Sequence, residues 1–241
     1  MKNLMLVPSL VCALIAAIFV ATSPAARAAV QQGEAVAVAV KGTADYTVNG
    51  RDWLPLRAND TLKPGAEIRT ADGASVDLFL NYNGPVVAVQ PGSHLVLSKL
   101  DREEKGDQVV TDTLLEVKKG AIMGYAQKIA TGSRYVIKTP ESVVTVTGTL
   151  YYVYATGYVY VQTGAVEVKY SPRGASRFST SAVNVPEGFY LAPGASTPTL
   201  TPPPVGDTIV ATISTSIGNV RRFNLSRGRK LEIKAVAPAS L

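Results

Sequence analysis

The chain has a single cysteine, Cys12, and it lies inside an apolar N-terminal run. Lys2 precedes that run, Leu4 to Ala21 is almost wholly apolar, Ser23-Pro24 ends it, and Ala26-Arg27-Ala28 supplies a small-x-small cleavage pattern. Residues 1–28 therefore read as a signal peptide. Retention as an anchor is the alternative, since the run is nearly long enough to span a bilayer, but Pro8 within it and the cleavage pattern behind it favour removal. Val11 stands where a lipid-modified cysteine needs a small neighbour, which argues against lipidation. Cleavage leaves a mature chain with no disulfide framework and no thiol nucleophile, expected in the periplasm or outside the cell, with no stable membrane span.

Histidine is equally scarce. His94 stands alone, so His-paired nucleophiles and multi-histidine metal sites have almost no material. In Pro91-Gly-Ser-His-Leu95 it falls on the strand face opposite Leu95 and Leu97, and reads as a surface histidine. Charged residues make up only 17% of the chain, and the acids are dispersed. A polysaccharide-active enzyme on a β scaffold needs two carboxylates facing one cleft. Asp45, Asp52, Asp60, Asp72, Asp77 and Glu141 instead sit singly beside turns. Asp101, Glu103, Glu104 and Asp107 do cluster, but Arg102 and Lys105 interrupt them and the alternation of a calcium loop is missing. That segment, Asp101 to Asp112, reads as a solvated surface loop. No enzymatic activity, metal or cofactor is expected.

No window shows a sustained helical period. What the chain has in abundance is β pattern: short apolar runs from Val36 to Leu191, punctuated by Asn49-Gly50, Pro64-Gly65, Asp72-Gly73, Pro91-Gly92, Lys119-Gly120 and Thr163-Gly164. Val76, Leu78 and Leu80 alternate with Asp77, Phe79 and Asn81. Val117–Ile122 and Val161–Val166 share V-x-x-G-A-aliphatic, with a fainter echo at Asn81–Val86, and a glycine before an apolar strand suits a tight corner. Such repeats fit a solenoid-like (β-helix-like) stack, and a twisted β-sandwich would leave the same text. The expected fold class is thus all-β, in a domain covering residues 30–196.

Proline density then rises, with seven of the fifteen prolines between Pro172 and Pro204. Residues 197–204 read as an extended linker. Residues 205–241 follow as a basic C-terminal tail. Basic and acidic residues balance at 16 each between Ala29 and Pro204, whereas Arg221, Arg222, Arg227, Arg229, Lys230 and Lys234 face only Asp207 and Glu232 in the tail. The β-branched run from Thr208 to Ile217 suggests an added strand pair or a mobile segment.

The stretch SRYVIKTPESVVTVTGT, Ser133 to Thr149, carries the most information. A strand at Tyr135–Ile137 stops at Thr139-Pro140, a second strand alternates Val144 and Val146 with threonines, and Gly148-Thr149 closes it. Upstream stand Trp53-Leu-Pro-Leu56, Asp60-Thr-Leu62, Pro64-Gly65 and Ile68-Arg-Thr70. In this order and spacing the segments from Val36 to Pro193 resemble the FecR domain, the periplasmic module of iron-dicitrate-type signalling regulators. The resemblance rests on Trp53, Gly65, Thr139, Pro140, Gly148 and Thr149. It departs at Thr147, where the family commonly has arginine. Only Met1-Lys2-Asn3 precede the apolar run, so no direct sigma-factor contact is expected, and the resemblance implies the exported β module without the cytoplasmic switch.

Two features could carry binding. Tyr151, Tyr152, Tyr154, Tyr158 and Tyr160 fall within ten residues. They read either as cross-strand packing or as a face for stacking sugars or a protein partner. Arg221, Arg222, Arg227, Arg229 and Lys230 read either as a solvated amphipathic strand or as a grip on anionic polymer. The sequence thus suggests a binding or sensing module whose partner is an envelope protein or an anionic polysaccharide, not nucleic acid. The alternative is a structural protein anchored through its tail.

Overall fold

Side chains that alternate apolar and polar over a few residues, broken at short intervals by glycine turns, favour strands with one buried face. The structure, a computed structural model, describes residues 29–170, 181–200 and 206–228. Residues 1–28, expected to be a signal peptide, residues 201–204 of the expected linker, and Arg229 and Lys230 of the expected tail lie outside the described residues. In chain order the strands are β1 (Gln31–Gln32), β2 (Ala35–Lys41), β3 (Ala44–Thr47), β4 (Leu54–Pro55), β5 (Thr61–Leu62), β6 (Glu67–Thr70), β7 (Ser75–Phe79), β8 (Val86–Val89) and β9 (His94–Lys105). They continue with β10 (Gln108–Lys119), β11 (Ala121–Tyr125), β12 (Arg134–Lys138), β13 (Ser142–Val146), β14 (Leu150–Tyr154), β15 (Val159–Thr163), β16 (Ala165–Tyr170), β17 (Val183–Pro186) and β18 (Tyr190–Leu191). A 3-10 turn occupies Asn81–Asn83, and one helix, α1, spans Gly206–Ser226.

The described strands form two sheets. The first runs β17-β16-β13-β12-β10-β9-β6-β3-β4, with β1 alongside β9; the second runs β18-β15-β14-β11-β8-β7-β2-β5. Pairing is antiparallel except between β10 and β12. Neither sheet closes on itself, and the two face one another across a shared core that includes Ile68, Leu97, Leu115 and Ile137 of the first and Leu78, Val89, Ile122 and Val161 of the second. The fold is an all-β sandwich, not a solenoid.

The chain crosses repeatedly between the sheets, and the repeated V-x-x-G-A motif marks two crossings. Gly120 joins β10 to β11 and Gly164 joins β15 to β16. The fainter echo at Asn81–Val86 links β7 to β8 within one sheet. Gly164 also packs against the corner at Gly148: a Cβ at Gly164 would lie 2.5 Å from the Gly148 carbonyl oxygen, and one at Gly148 would lie 2.7 Å from Lys128 Cα.

The second sheet is buried on both faces where α1 covers it, over β2, β7, β8 and β11. Its outer side presents Phe79, Val86, Ala88, Met123, Leu150, Tyr152 and Tyr160, and α1 lays Ile213, Ile217 and Val220 upon them. Continuous burial explains why β8, VVAV, shows no alternation. The expectation of strands from Thr208 to Ile217 is therefore corrected. Ile213, Ile217 and Val220 recur at helical spacing, and burying each side chain contributes about 1.5–3 kcal/mol. That exceeds the deficit of at most about 0.7 kcal/mol that a β-branched residue brings to a helix. Among the described residues no helix is long and apolar enough to cross a membrane.

The charged segment from Asp101 to Asp112 is corrected as well. It is the outer end of the β9–β10 hairpin, and only Gly106-Asp107 form its turn. Lys99 reaches Asp112 at 2.6 Å and Asp101 at 3.4 Å, and Lys105 reaches Glu103 at 3.0 Å. Opposite charges placed across and along the strands let a polar sequence pair as a ladder.

Candidate binding face

Strand alternation decides where each tyrosine points. In β14, Leu150, Tyr152 and Tyr154 face outward from the sandwich, while Tyr151 and Val153 face the inter-sheet core. Tyr152 lies opposite Tyr160 of β15, and Tyr160 opposite Tyr190 of β18, giving an aromatic row across three strands. The Thr156-Gly157 turn then returns Tyr158 to the same side: the Tyr154 N–H donates to the Tyr158 carbonyl at 2.9 Å.

The rings touch in series. Tyr152 and Tyr154 meet edge to face at 4.5 Å, Tyr154 and Tyr158 likewise at 6.2 Å, and Tyr158 stacks on Tyr190 at 5.4 Å with 10° between the planes. Exposure falls along the row toward α1: Tyr154, Tyr158 and Tyr190 are half-buried, whereas Tyr152 and Tyr160 are 8% and 6% exposed. The Tyr160 hydroxyl donates to Gln162 Oε1 at 2.8 Å. Behind the row, the Tyr170 hydroxyl lies 2.9 Å from the carbonyls of both Gly157 and Ala192, clamping the turn that carries Tyr158 to the loop after Tyr190.

Burial raises the pKa of Tyr152, Tyr158, Tyr160 and Tyr170. Neighbouring hydroxyls add to the effect, Tyr154 on Tyr152 and Tyr190 on Tyr158. These phenols stay neutral and offer an apolar ring with a donor-acceptor tip.

Tyr151 does not belong to this face. It is fully buried, and its hydroxyl lies 2.7 Å from that of Tyr135 in the inter-sheet core. Tyr190, which completes the row, escaped the sequence reading because it is remote from the tyrosine cluster. Its signal was the closing strand of Gly188-Phe-Tyr-Leu191, whose partner strand could not be read.

The remaining candidates are dispersed. Thr139 and Pro140 form the β12–β13 hairpin turn, where Thr139 Oγ1 accepts the N–H groups of Glu141 at 3.2 Å and Ser142 at 2.8 Å. Thr149 is buried and its hydroxyl donates to the Ala165 carbonyl at 2.7 Å. Gly65 donates its N–H to the Leu97 carbonyl at 2.7 Å. These positions build corners. Trp53 lies against the outer side of the first sheet, with the Arg69 guanidinium 3.7 Å from its ring centre and His94 edge-on at 5.9 Å. His94 Nε2 is 2.6 Å from Glu67 Oε2. On α1, Arg222 is exposed and donates to Asn219 while Arg221 is half-buried; in the turn just after the helix, Arg227 is exposed and lies 4.5 Å from the Phe223 ring centre. Among the described residues no three His, Cys, Asp or Glu side chains gather to hold a metal ion.

No family model matches the chain, and no curated protein matches it. Two crystal structures of a "putative anti-sigma factor" from Parabacteroides distasonis, at 2.50 and 1.65 Å resolution, are similar to it at 20% identity and a TM-score of 0.39. Each match covers 52% of this chain and 52% of the other, so the chain spans about half the length of the solved structures it matches. A likeness of that size carries no functional weight.

Proposed function

We propose that the chain is an exported, non-enzymatic FecR-type binding or sensing module of the cell envelope, which docks a partner protein through its tyrosine row. The observation that supports this reading is the parallel stack of Tyr158 on Tyr190, two half-buried rings from separate segments held by the Tyr170 clamp. Tyrosine gives large contact area with few rotors to freeze, and it is enriched where proteins meet proteins. Pre-ordering the rings lowers the cost of docking further. The test is crosslinking with mass spectrometry on intact cells, comparing the native chain with Tyr158→Ala/Tyr190→Ala. A reproducible envelope protein lost from the double variant supports the reading. Recovery of no partner, or equal recovery with both chains, sinks it.

A second reading, anchoring to anionic polymer, is favoured by α1. Arg222 near its C-terminal end and Arg227 just beyond it are exposed, and Asp207 is its only acidic residue. Deleting the tail would strip the outer face of the second sheet, so the cleaner test neutralises Arg222, Arg227, Arg229 and Lys230 to glutamine. Retention in the envelope at low salt should then fall; unchanged retention removes this reading.

A further inference from the structure

Between β1 with the residues that follow it, the Asn81–Asn83 turn and Arg102 of β9 lies a crevice of about 310 Å³, whose walls include Gln32, Glu34, Asn81, Tyr82 and Arg102. Its chemistry is unlike that of the tyrosine row. Tyr82 is 54% exposed, an isolated ring at the crest of the 3-10 turn between β7 and β8. Hydrogen bonds tie the turn beneath it to β9 and β10. Asn83, only 2% exposed, donates from Nδ2 to the Asp101 carbonyl at 3.0 Å and to Thr113 Oγ1 at 2.9 Å. The Thr113 hydroxyl donates back to the Asn83 carbonyl at 3.2 Å. Asn81 is held at φ 55°, a left-handed conformation that few side chains adopt and that a pinned turn can impose.

Arg102 supplies the second observation. Its guanidinium carbon lies 5.3 Å from the Tyr82 ring centre, and its Nη2 donates to Gln31 Oε1 at 2.8 Å. It forms no ion pair among the described residues, although the surrounding lysines do. Its Nε is buried and has no hydrogen-bond partner, alone in this among buried side-chain nitrogens and oxygens of the described residues. That nitrogen is closed to a ligand, so a partner in the crevice meets the Arg102 guanidinium at its outer Nη groups. A carboxylate oxygen is the partner that a guanidinium recovers most from. An exposed aromatic ring beside it offers a flat apolar surface, the Asn81 and Gln32 amides offer donors and acceptors for hydroxyls, and Glu34 offers acceptors alone.

We propose that this crevice binds an acidic pyranose, a uronic acid unit of an envelope polysaccharide, with the sugar ring on Tyr82 and the carboxylate on Arg102. The volume, at the lower end of ligand pockets, suits one or two sugar residues of a chain that continues into solvent. The site is independent of the tyrosine row.

Titration calorimetry on the mature full-length protein tests it, with galacturonate and glucuronate oligosaccharides as probes and neutral galactose and glucose oligosaccharides of equal length as controls. An acidic oligosaccharide should bind, the neutral ones should not, and Arg102→Gln and Tyr82→Leu should each weaken binding by about tenfold or more. Tyr82 is exposed, so its variant keeps the test open if Arg102→Gln fails to fold. Tyr158→Ala/Tyr190→Ala should bind as the native chain does, which separates this site from the proposed protein-docking face. Absence of binding to both acidic probes overturns the proposal. So do equal binding of the neutral sugars and undiminished binding by the folded variants.

Discussion

Asp77 and Ser216, 139 residues apart in sequence, meet at 2.6 Å, the hydroxyl donating to the carboxylate beneath α1. Asn219 donates to the other carboxylate oxygen, also at 2.6 Å. Asp77 is only 8% exposed, so these bonds replace most of the water it loses. The rest of the helix interface is largely apolar and would tolerate sliding. The carboxylate fixes the register.

Asp77→Ala should therefore loosen α1 more than the sandwich. Ser216 and Asn219 would lose an ionised acceptor, a change of about 1.5–3 kcal/mol. Limited proteolysis should cut between residues 206 and 228 faster than in the native chain, with loss of helical circular dichroism and retention of the β signal. Asp77→Asn should show a smaller effect. Equal protease resistance in the native chain and Asp77→Ala would remove the anchoring role.

The Tyr135 and Tyr151 hydroxyls, 2.7 Å apart, form a polar pair within an apolar core. The space they use is free because two neighbours lack a side chain: a Cβ at Gly84 would meet the Tyr135 ring at 2.8 Å, and one at Gly124 would overlap the Tyr151 hydroxyl. Tyr151→Phe should cost about 1–3 kcal/mol by leaving the Tyr135 hydroxyl without its partner. Replacing both with phenylalanine should cost less than the sum of the single changes, which a double-mutant cycle in urea would measure. Simple additivity would show that the two hydroxyls are not coupled.

Much of this architecture was legible because local chemistry fixed it. Pro140 could only end a strand or begin a turn, and Thr139 has a hydroxyl placed to cap that turn. The glycine before each apolar strand marked a corner wherever it was repeated in full, at Gly120 and Gly164. Three features were not legible. Alternation says that Tyr151 and Tyr152 point to opposite sides, but in a sheet covered on both faces it does not say which side is open. Tyr190 joins the row through β15–β18 pairing, a non-local contact. The helix was hidden by its own composition: β-branched residues favour strands in isolation, and only the apolar outer face of the second sheet makes helical burial of Ile213, Ile217 and Val220 worth more.

Corner geometry gives a sharper test than strand content. Gly148 has φ 138°, and an added Cβ would press on Lys128 Cα at 2.7 Å. Both faults are backbone faults that no rotamer relieves. Gly148→Ala should destabilise the fold by about 1–3 kcal/mol. Gly188→Ala is the control, since it too has positive φ but nothing within 4 Å of the added Cβ. Chemical denaturation should show Gly188→Ala the milder of the two. The reverse order would mean that corner packing is not what Gly148 serves.

Alkaline pH should unfold the protein through its buried phenols. In the unfolded chain a tyrosine ionises near its ordinary value of about 10. In the fold, burial raises the pKa of Tyr135, Tyr151, Tyr152 and Tyr170 above that value, with the Tyr135 hydroxyl raising Tyr151 further. Below about pH 10 both states keep these protons, so this contribution to stability is fully present and independent of pH. Above it the unfolded chain gives up protons that the folded chain retains, and stability declines by up to about 1.4 kcal/mol per pH unit for each such tyrosine. Urea midpoints should thus stay level with respect to these groups from about pH 7 to 9 and fall beyond about 10. Tyrosinate absorbance from the buried set should appear together with the loss of β circular dichroism rather than ahead of it. The Tyr135→Phe/Tyr151→Phe variant should show a shallower decline. Early tyrosinate signal in a chain that is still folded would show that the core phenols are open to solvent.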